Sequence, residues 1–205
     1  MNRNGNPTRT IKGRHAAFTL VELLMVIALI VLLIGLTTGS VGSMGQGHRL
    51  TTGGNMTVDL INDARQLASA RNTKTMVALV TSGTDSRRLL TTLIYSLDTA
   101  GNGGWSQIDQ WRRLPEGIEV DQSATIDTNY GEYLFTTPPA ATTLKRGGAD
   151  VQFSAAVFLP DGRPHITTNK AQLAVLKQST ASAQATNSYK IIVNAATGIP
   201  VIRRP

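Results

Sequence analysis

Apolar and polar positions divide this chain into three regimes. From Phe18 to Leu36 the sequence FTLVELLMVIALIVLLIGL is apolar all the way round a helix, with Glu22 its one charge. At about 1.5 Å rise per residue, a helix of this length reaches roughly 28 Å, close to the hydrocarbon thickness of a bilayer. A helix on the surface of a water-soluble domain would show a polar face, and this one has none. A secretory signal peptide would have a shorter apolar core and a clear small-residue cleavage site after it, whereas only Gly39-Ser40 follows here. Glu22 stands where a carboxylate costs about 2.5–3.5 kcal/mol to insert, and such groups usually face a protein partner.

The second regime runs from Thr37 to Asn55, where Gly39, Gly42, Gly45, Gly47, Gly53 and Gly54 alternate with Ser and Thr. Each glycine weakens a helix by up to about 1 kcal/mol relative to alanine, so a frayed helix end and a flexible linker are predicted. Helical period returns in MTVDLINDARQLASAR, residues 56–71, with Met56, Leu60, Ala64, Leu67 and Ala68 on one stripe and Thr57 or Asn55 as the cap. The third regime reads as β-structure. TMVALVT (75–81) and LLTTLIYSL (89–97) are predicted strands joined by Ser82-Gly83-Thr84-Asp85, and AGNGGWSQ is a loop. WRRLPEGIEVD (111–121) gives two short strands around a turn, GEYLFTT (131–137) one more, and VQFSAAVFLPDGRP (151–164) a strand entering a Pro-Asp-Gly turn. AQLAVLK (171–177) fits strand or helix, and SYKIIVNAATGIPVIRRP (188–205) a hairpin around Thr197-Gly198. The expected fold class is α+β: a long N-terminal hydrophobic helix, then a second helix packed on a head of six to eight antiparallel strands. The expected divisions are a leader at 1–17, a transmembrane or filament-core helix at 18–38, a Gly-rich linker at 39–55 and a head at 56–205.

Charge sharpens this picture. The chain of 205 residues carries a formal +7, but Arg3, Arg9, Lys12 and Arg14 all precede Phe18 with no acid among them. Removing those four from the twenty Lys and Arg leaves 16 basic against 13 acidic residues, or +3. The basic leader therefore stays cytoplasmic by the positive-inside rule, with the head across the membrane. The high isoelectric point loses more than half its weight as a nucleic-acid signal.

Ala17-Phe18-Thr19-Leu20-Val21-Glu22-Leu23-Leu24 resembles the N-terminal signature of type IV prepilins and type II secretion pseudopilins. In that family a short basic leader is cut immediately before a Phe, the same peptidase methylates the new N-terminus, and a Glu stands fifth in the mature chain. The resemblance implies cleavage between Ala17 and Phe18, methylation of Phe18, and a subunit-assembly role for Glu22. The carboxylate would pair with the terminal ammonium of a neighbouring subunit, setting register more than adding stability, because desolvation opposes the attraction. One departure is Ala17, where the family prefers Gly. The order of elements in the head is similar to the H-class minor pseudopilins and the FimT-type minor pilins. It runs through Trp111, Leu114, Pro115, Gly117, Ile118 and Val120, then Phe158, Pro160, Asp161, Gly162 and Arg163, then Ile191, Val193, Thr197 and Gly198. The implied partners are prepilin peptidase, other pilins or pseudopilins through the N-terminal helix, an inner-membrane assembly platform with its ATPase, and membrane lipid. The implied location is the bacterial inner membrane, single-pass, with the head periplasmic, and then a filament.

Little else in the sequence suggests chemistry. There are no cysteines, so no disulfide and no thiolate metal site. His15, His48 and His165 are scattered, with no metal-ligand spacing, and no nucleophile motif or phosphate loop occurs. Glu116, Glu119 and Asp121 form the closest acidic cluster and read as solubilising charges. We expect no enzyme activity, no cofactor and no metal. The basic pairs Arg87-Arg88, Arg112-Arg113, Lys145-Arg146 and Arg203-Arg204 leave two other readings. One is a DNA-binding minor pilin of an uptake machine, using Arg203 and Arg204. The other is a bitopic membrane-anchored binding protein. For Arg203 and Arg204 a solvated end is the plainer reading.

Overall fold

The computed structural model describes residues 19–97, 99–122, 130–139, 142–166, 169–179 and 188–203; inside the helix, the side chains of 36–44 and 46 lie outside the description. The chain divides into two compact units, Met1–Ser43 and Met44–Pro205. The predicted leader lies outside the described residues.

In the first unit the helix α1 (Leu20–Arg71) begins. Thr19 caps it: its hydroxyl accepts from the Glu22 N–H at 3.3 Å, and its carbonyl accepts from the Leu23 N–H at 3.2 Å. Every side chain from Leu20 to Gly35 is exposed. Among the described residues no helix is long and apolar enough to cross a membrane. The predicted span of 18–38 starts at Phe18 and ends with 36–38, positions whose side chains lie outside the description.

In the second unit α1 supplies a buried stripe of Leu50, Gly53, Gly54, Thr57, Leu60, Ile61, Ala64 and Ala68. The spacing of three and four residues is that of one helix face. This corrects the predicted linker: residues 39–55 are helical, and the head's core starts at Leu50, not at 56. The reason is close packing. A Cβ on Gly54 would sit 2.2 Å from the Tyr189 ring, and one on Gly53 would meet Ile118 at 3.2 Å and Pro115 at 3.3 Å. These glycines let the helix backbone approach the sheet, and tertiary contact outweighs their poor propensity. By contrast a Cβ added at Gly35, Gly45 or Gly47 would meet nothing within 4 Å. The end of α1 falls where the sequence predicted. Asn72, at φ 48°, takes the left-handed position after it, and the N–H groups of Asn72 and Thr73 return to the carbonyls of Ser69 and Ala68.

Twelve strands follow in the described residues. One sheet holds β1 (Thr75–Val80), β2 (Leu89–Leu97), β3 (Gly103–Gln107), β4 (Arg112–Arg113) and β9 (Phe153–Phe158), in the order β3-β2-β1-β9 with β4 also on β2. The other holds β5 (Ile118–Asp121), β6 (Glu132–Tyr133), β10 (Gln172–Gln178), β11 (Tyr189–Val193) and β12 (Pro200–Arg203), ordered β12-β11-β10-β5. The small hairpin β7 (Lys145–Arg146) and β8 (Ala149–Asp150) stands apart. All pairs are antiparallel except β6 with β10. AQLAVLK is thus strand, and WRRLPEGIEVD sends its two strands to different sheets. The loop predicted at AGNGGWSQ contains a strand, β3, in which Trp105 lies opposite Tyr95 with ring centroids 5.3 Å apart, edge to face.

Two hydrophobic clusters hold these layers. The larger joins Leu60, Ile61, Ala64 and Ala68 of α1 to Val77 and Leu79 of β1, Val120 of β5, Leu176 of β10, and Tyr189 and Ile191 of β11. The smaller lies on the other face of the first sheet, around Met76, Ala78, Leu93 and Phe153. β1 is therefore buried on both faces, which is why it is apolar from Met76 to Val80 with no alternation. Full burial of each large aliphatic side chain contributes about 1.5–3 kcal/mol.

One ion pair is buried with the second sheet. Lys177 Nζ lies 3.1 Å from Asp121 Oδ2, with side-chain exposures of 10% and 1%. Asp121 is thus a core group, not the solubilising charge its sequence neighbours suggested. Burial, and then the Asp121 charge, raise the Tyr133 phenol above its ordinary value.

Two outcomes follow from this packing. Gly54→Ala should lower stability by about 1–3 kcal/mol or more through overpacking, while Gly47→Ala should be neutral or stabilising by up to about 1 kcal/mol; denaturant melts of the detergent-solubilised chain compare them. The Tyr133 phenolate should form only above the normal phenol range in an ultraviolet titration, with that band absent in Tyr133→Phe. Since the folded value is raised, the associated stability is full below the unfolded phenol pKa and is lost as pH climbs through the folded one.

Candidate functional site

Four regions had claims to function in the sequence, and the fold treats them differently. At the N-terminus, Ala17 and Phe18 lie outside the described residues, so cleavage and methylation have no geometry here. Glu22 is described and exposed. With Thr19 it forms the first and last positions of a Thr-x-x-Glu sequence at a helix start, and Thr19 accepts the Glu22 N–H. A carboxylate in the first helical turn also meets the positive end of the helix dipole. The local reason for Glu22 is therefore compatible with, and separate from, any pairing with another subunit. The sequence carried this signal, but the apolar run that follows drew attention to insertion cost instead.

Three of the four basic pairs converge around Asp85: Arg87-Arg88 follow it in the chain, β4 brings Arg112-Arg113 onto the start of β2, and Arg146 reaches it from β7. Arg113 and Arg146 both bind the near-buried Asp85, at 2.7 Å and 2.8 Å. Arg112 bonds Asp109 at 3.0 Å and approaches Asp63 at 3.9 Å. Arg88 turns a guanidinium N–H toward the Pro115 carbonyl at 3.4 Å. These arginines tie loops together; Arg112 is matched by Asp109, whereas Arg113 and Arg146 share the single Asp85 carboxylate and Arg88 bonds a neutral carbonyl, so this cluster keeps a net positive charge. Arg203 differs. It ends β12 exposed, directly opposite the exposed Lys190 of β11; Arg204 lies outside the described residues. Lys190 was not a candidate in the sequence, because only the register of the hairpin brings it beside Arg203.

The Pro-Asp-Gly and Thr-Gly turns meet on α1. Gly162 and Gly198 both have positive φ, at 80° and 70°. The Gly162 carbonyl stands where a Cβ on Gly198 would be, and the Arg65 side chain touches both glycines. Arg65 also reaches the Thr197 carbonyl at 3.4 Å. No spacing rule couples positions 65, 162 and 198, so this junction was invisible in the sequence. Its residue chemistry is that of a structural clamp.

Beside this junction is a cleft of about 380 Å³ lined by residues including Leu159, Arg163, His165, Ile166 and Ala195. The Arg163 guanidinium is engaged by Asp161, with Nε–Oδ2 at 2.7 Å, and that bond holds the Asp161 carboxyl below its usual range. His48 and His165 are exposed and far apart in sequence. Among the described residues no group of three or more acidic or histidine side chains could hold a metal ion.

No protein-family model matches this chain, and no curated protein matches it. One solved structure to which it is similar is the minor pseudopilin EpsH from the type 2 secretion system of Vibrio cholerae. The likeness covers 77% of this chain and 96% of that one, with 11% sequence identity and a TM-score of 0.45.

Proposed function

We propose that this chain is a minor pilin or pseudopilin, a structural subunit of a type II secretion or type IV pilus-like filament. The observation that carries the reading is the spacing from Phe18 to Glu22 at the head of an apolar helix, behind a leader whose only charges are basic. A second observation supports it. Within the described residues the side chains from Leu20 to Ile34 are all exposed and, Glu22 apart, apolar, from 47% at Val26 to 77% at Leu20 among the large ones. Apolar surface of this extent marks a lipid or protein contact.

In this reading the precursor sits in the bacterial inner membrane with its leader cytoplasmic. Prepilin peptidase cuts between Ala17 and Phe18 and methylates Phe18. The helix then passes from lipid to the helices of neighbouring subunits on an assembly platform. Glu22 meets the terminal ammonium of a neighbour, and a subunit out of register leaves a charge unpaired among apolar groups. Assembly there exchanges the solvated carboxylate for a paired one, so the interaction acts on register more than on net stability. The head, α+β and built on antiparallel sheets, contributes binding surface and no chemistry of its own.

A second reading, a DNA-binding minor pilin, is favoured by a specific observation: Arg203 and Lys190 stand side by side on an exposed face. Two cations release few counterions, so such binding would be weak and steeply salt-dependent. A bitopic anchor that keeps its leader is the third.

Intact mass of the chain purified from membranes separates the first reading from the third. We expect loss of residues 1–17 and gain of one methyl group; a chain that still begins at Met1 removes the filament reading. For the processed chain, Glu22→Leu should insert normally and fail to enter filaments in a co-assembly assay. Normal incorporation would remove the pairing.

A further inference from the structure

The last hairpin carries an unusual edge. Among the described residues of the second unit, five large hydrophobic side chains are exposed, and three of them are Ile199, Val201 and Ile202. They lie in and beside β12, which ends its sheet: among the described residues β12 pairs with β11 alone. The turn that leads into it fixes which backbone groups face outward. Gly198 N–H donates to the Asn194 carbonyl at 2.8 Å, and Asn194 N–H to the Ile199 carbonyl at 3.1 Å. Two residues, Gly198 and Ile199, thus oppose Asn194 in a bulge whose first residue is a left-handed glycine. Hydrogen-bonded and non-bonded pairs alternate beyond it. Val201 and Arg203 therefore turn their backbone groups toward β11, while Pro200 and Ile202 turn theirs outward. Pro200 has no N–H to leave unpaired, as an edge position requires. Among the described residues, the open groups are the Pro200 carbonyl and both the N–H and the carbonyl of Ile202.

We propose that β12 is a docking edge for an extended acidic segment of another protein, which adds as a strand beside it. Main-chain bonds to Pro200 and Ile202 hold the segment, and its side chains alternate between the two faces. On one face Arg203 and its neighbour Lys190 are exposed, with Val201 between the strands' ends, and neither β11 nor β12 contains an acid. Acidic side chains at alternate positions satisfy that face, and aliphatic ones cover Ile202 on the other. A second copy of this chain is the poorer occupant, because it would bring two more cations to the same side with no carboxylate to meet them. A nucleic acid is poorer too: it wants several cations in a track and aromatic rings to stack on, and this edge offers aliphatic side chains. The proposal does not depend on cleavage at Phe18, so it can fail or succeed independently of the filament reading.

The test uses the full chain in detergent micelles and a labelled, blocked hexapeptide of alternating Val and Glu, with the Val-Lys peptide and a single-stranded oligonucleotide as the other probes. Fluorescence anisotropy should show the acidic peptide bound at least about tenfold more tightly than the basic one, as charge-assisted strand addition requires. Arg203→Glu, an exposed change, should reverse that order. Ile202→Pro should abolish binding by removing the one outward N–H, with the thermal melt showing that the head remains folded. Equal binding of the two peptides, an Arg203→Glu chain that keeps its preference, or capture of the oligonucleotide alone would overturn the proposal.

Discussion

The closeness of Gly54 to the Tyr189 ring is the contact on which the head depends. Tyr189 is buried to 1% exposure, and its hydroxyl donates to Asn55 Oδ1 at 2.7 Å. An aromatic ring can come this close to a helix backbone only where the helix lacks a side chain, and Gly54 supplies that gap. The hydroxyl then needs a partner near the helix surface, and Asn55 is the next residue along. The ring in turn sets the distance between α1 and the second sheet, so that Leu60, Ile61 and Ala64 reach Val120, Leu176 and Ile191. A helix–sheet interface at this separation leaves no room for a side chain at 54 and little at 53, and it explains why small residues recur along the buried stripe.

The same constraint divides the helix by role. From Leu50 onward α1 is a core element, held by buried contacts on one face. Before Gly35 its described side chains are exposed on every face of the helix. Free energy that this surface can release is available only to lipid or to another protein. The proposed filament role follows from that asymmetry together with the Phe18–Glu22 spacing. The Thr19 cap and Glu22 begin the helix in a manner suited to any apolar helix, which is why the carboxylate alone cannot argue for assembly.

Much of the β-structure was legible. β1 and β2 fall within one residue of the runs read from TMVALVT and LLTTLIYSL, and the closing hairpin turns at Thr197-Gly198 as expected. These segments are rich in β-branched and aromatic residues and bounded by turn residues, so local pattern and tertiary role agree. The errors share a cause. Gly53 and Gly54 read as linker, and Gly103 and Gly104 as loop, because glycine's local preference is for neither helix nor strand. Yet Gly54 yields to Tyr189, and Gly103 yields to the Tyr95 hydroxyl, which fills the place of a Cβ. A glycine chosen for close approach looks, in sequence, like one chosen for flexibility. The charged residues misled in the same way. Asp85 and Asp121 are the buried partners of Arg113, Arg146 and Lys177 across long sequence distances, and no local window reveals such pairings.

Hydrogen exchange along α1 tests the division of the helix most directly. With the chain in micelles, the amides of Gly53 to Thr57 should exchange as slowly as those of Leu60 to Ala64, since one interface protects both stretches. Amides between Gly45 and Gly47, where an added Cβ would meet open space, should exchange far faster. Rapid exchange at Gly53 to Thr57, matching Gly45 to Gly47, would show that the glycine segment is a linker after all and that Tyr189 does not fix the helix to the sheet.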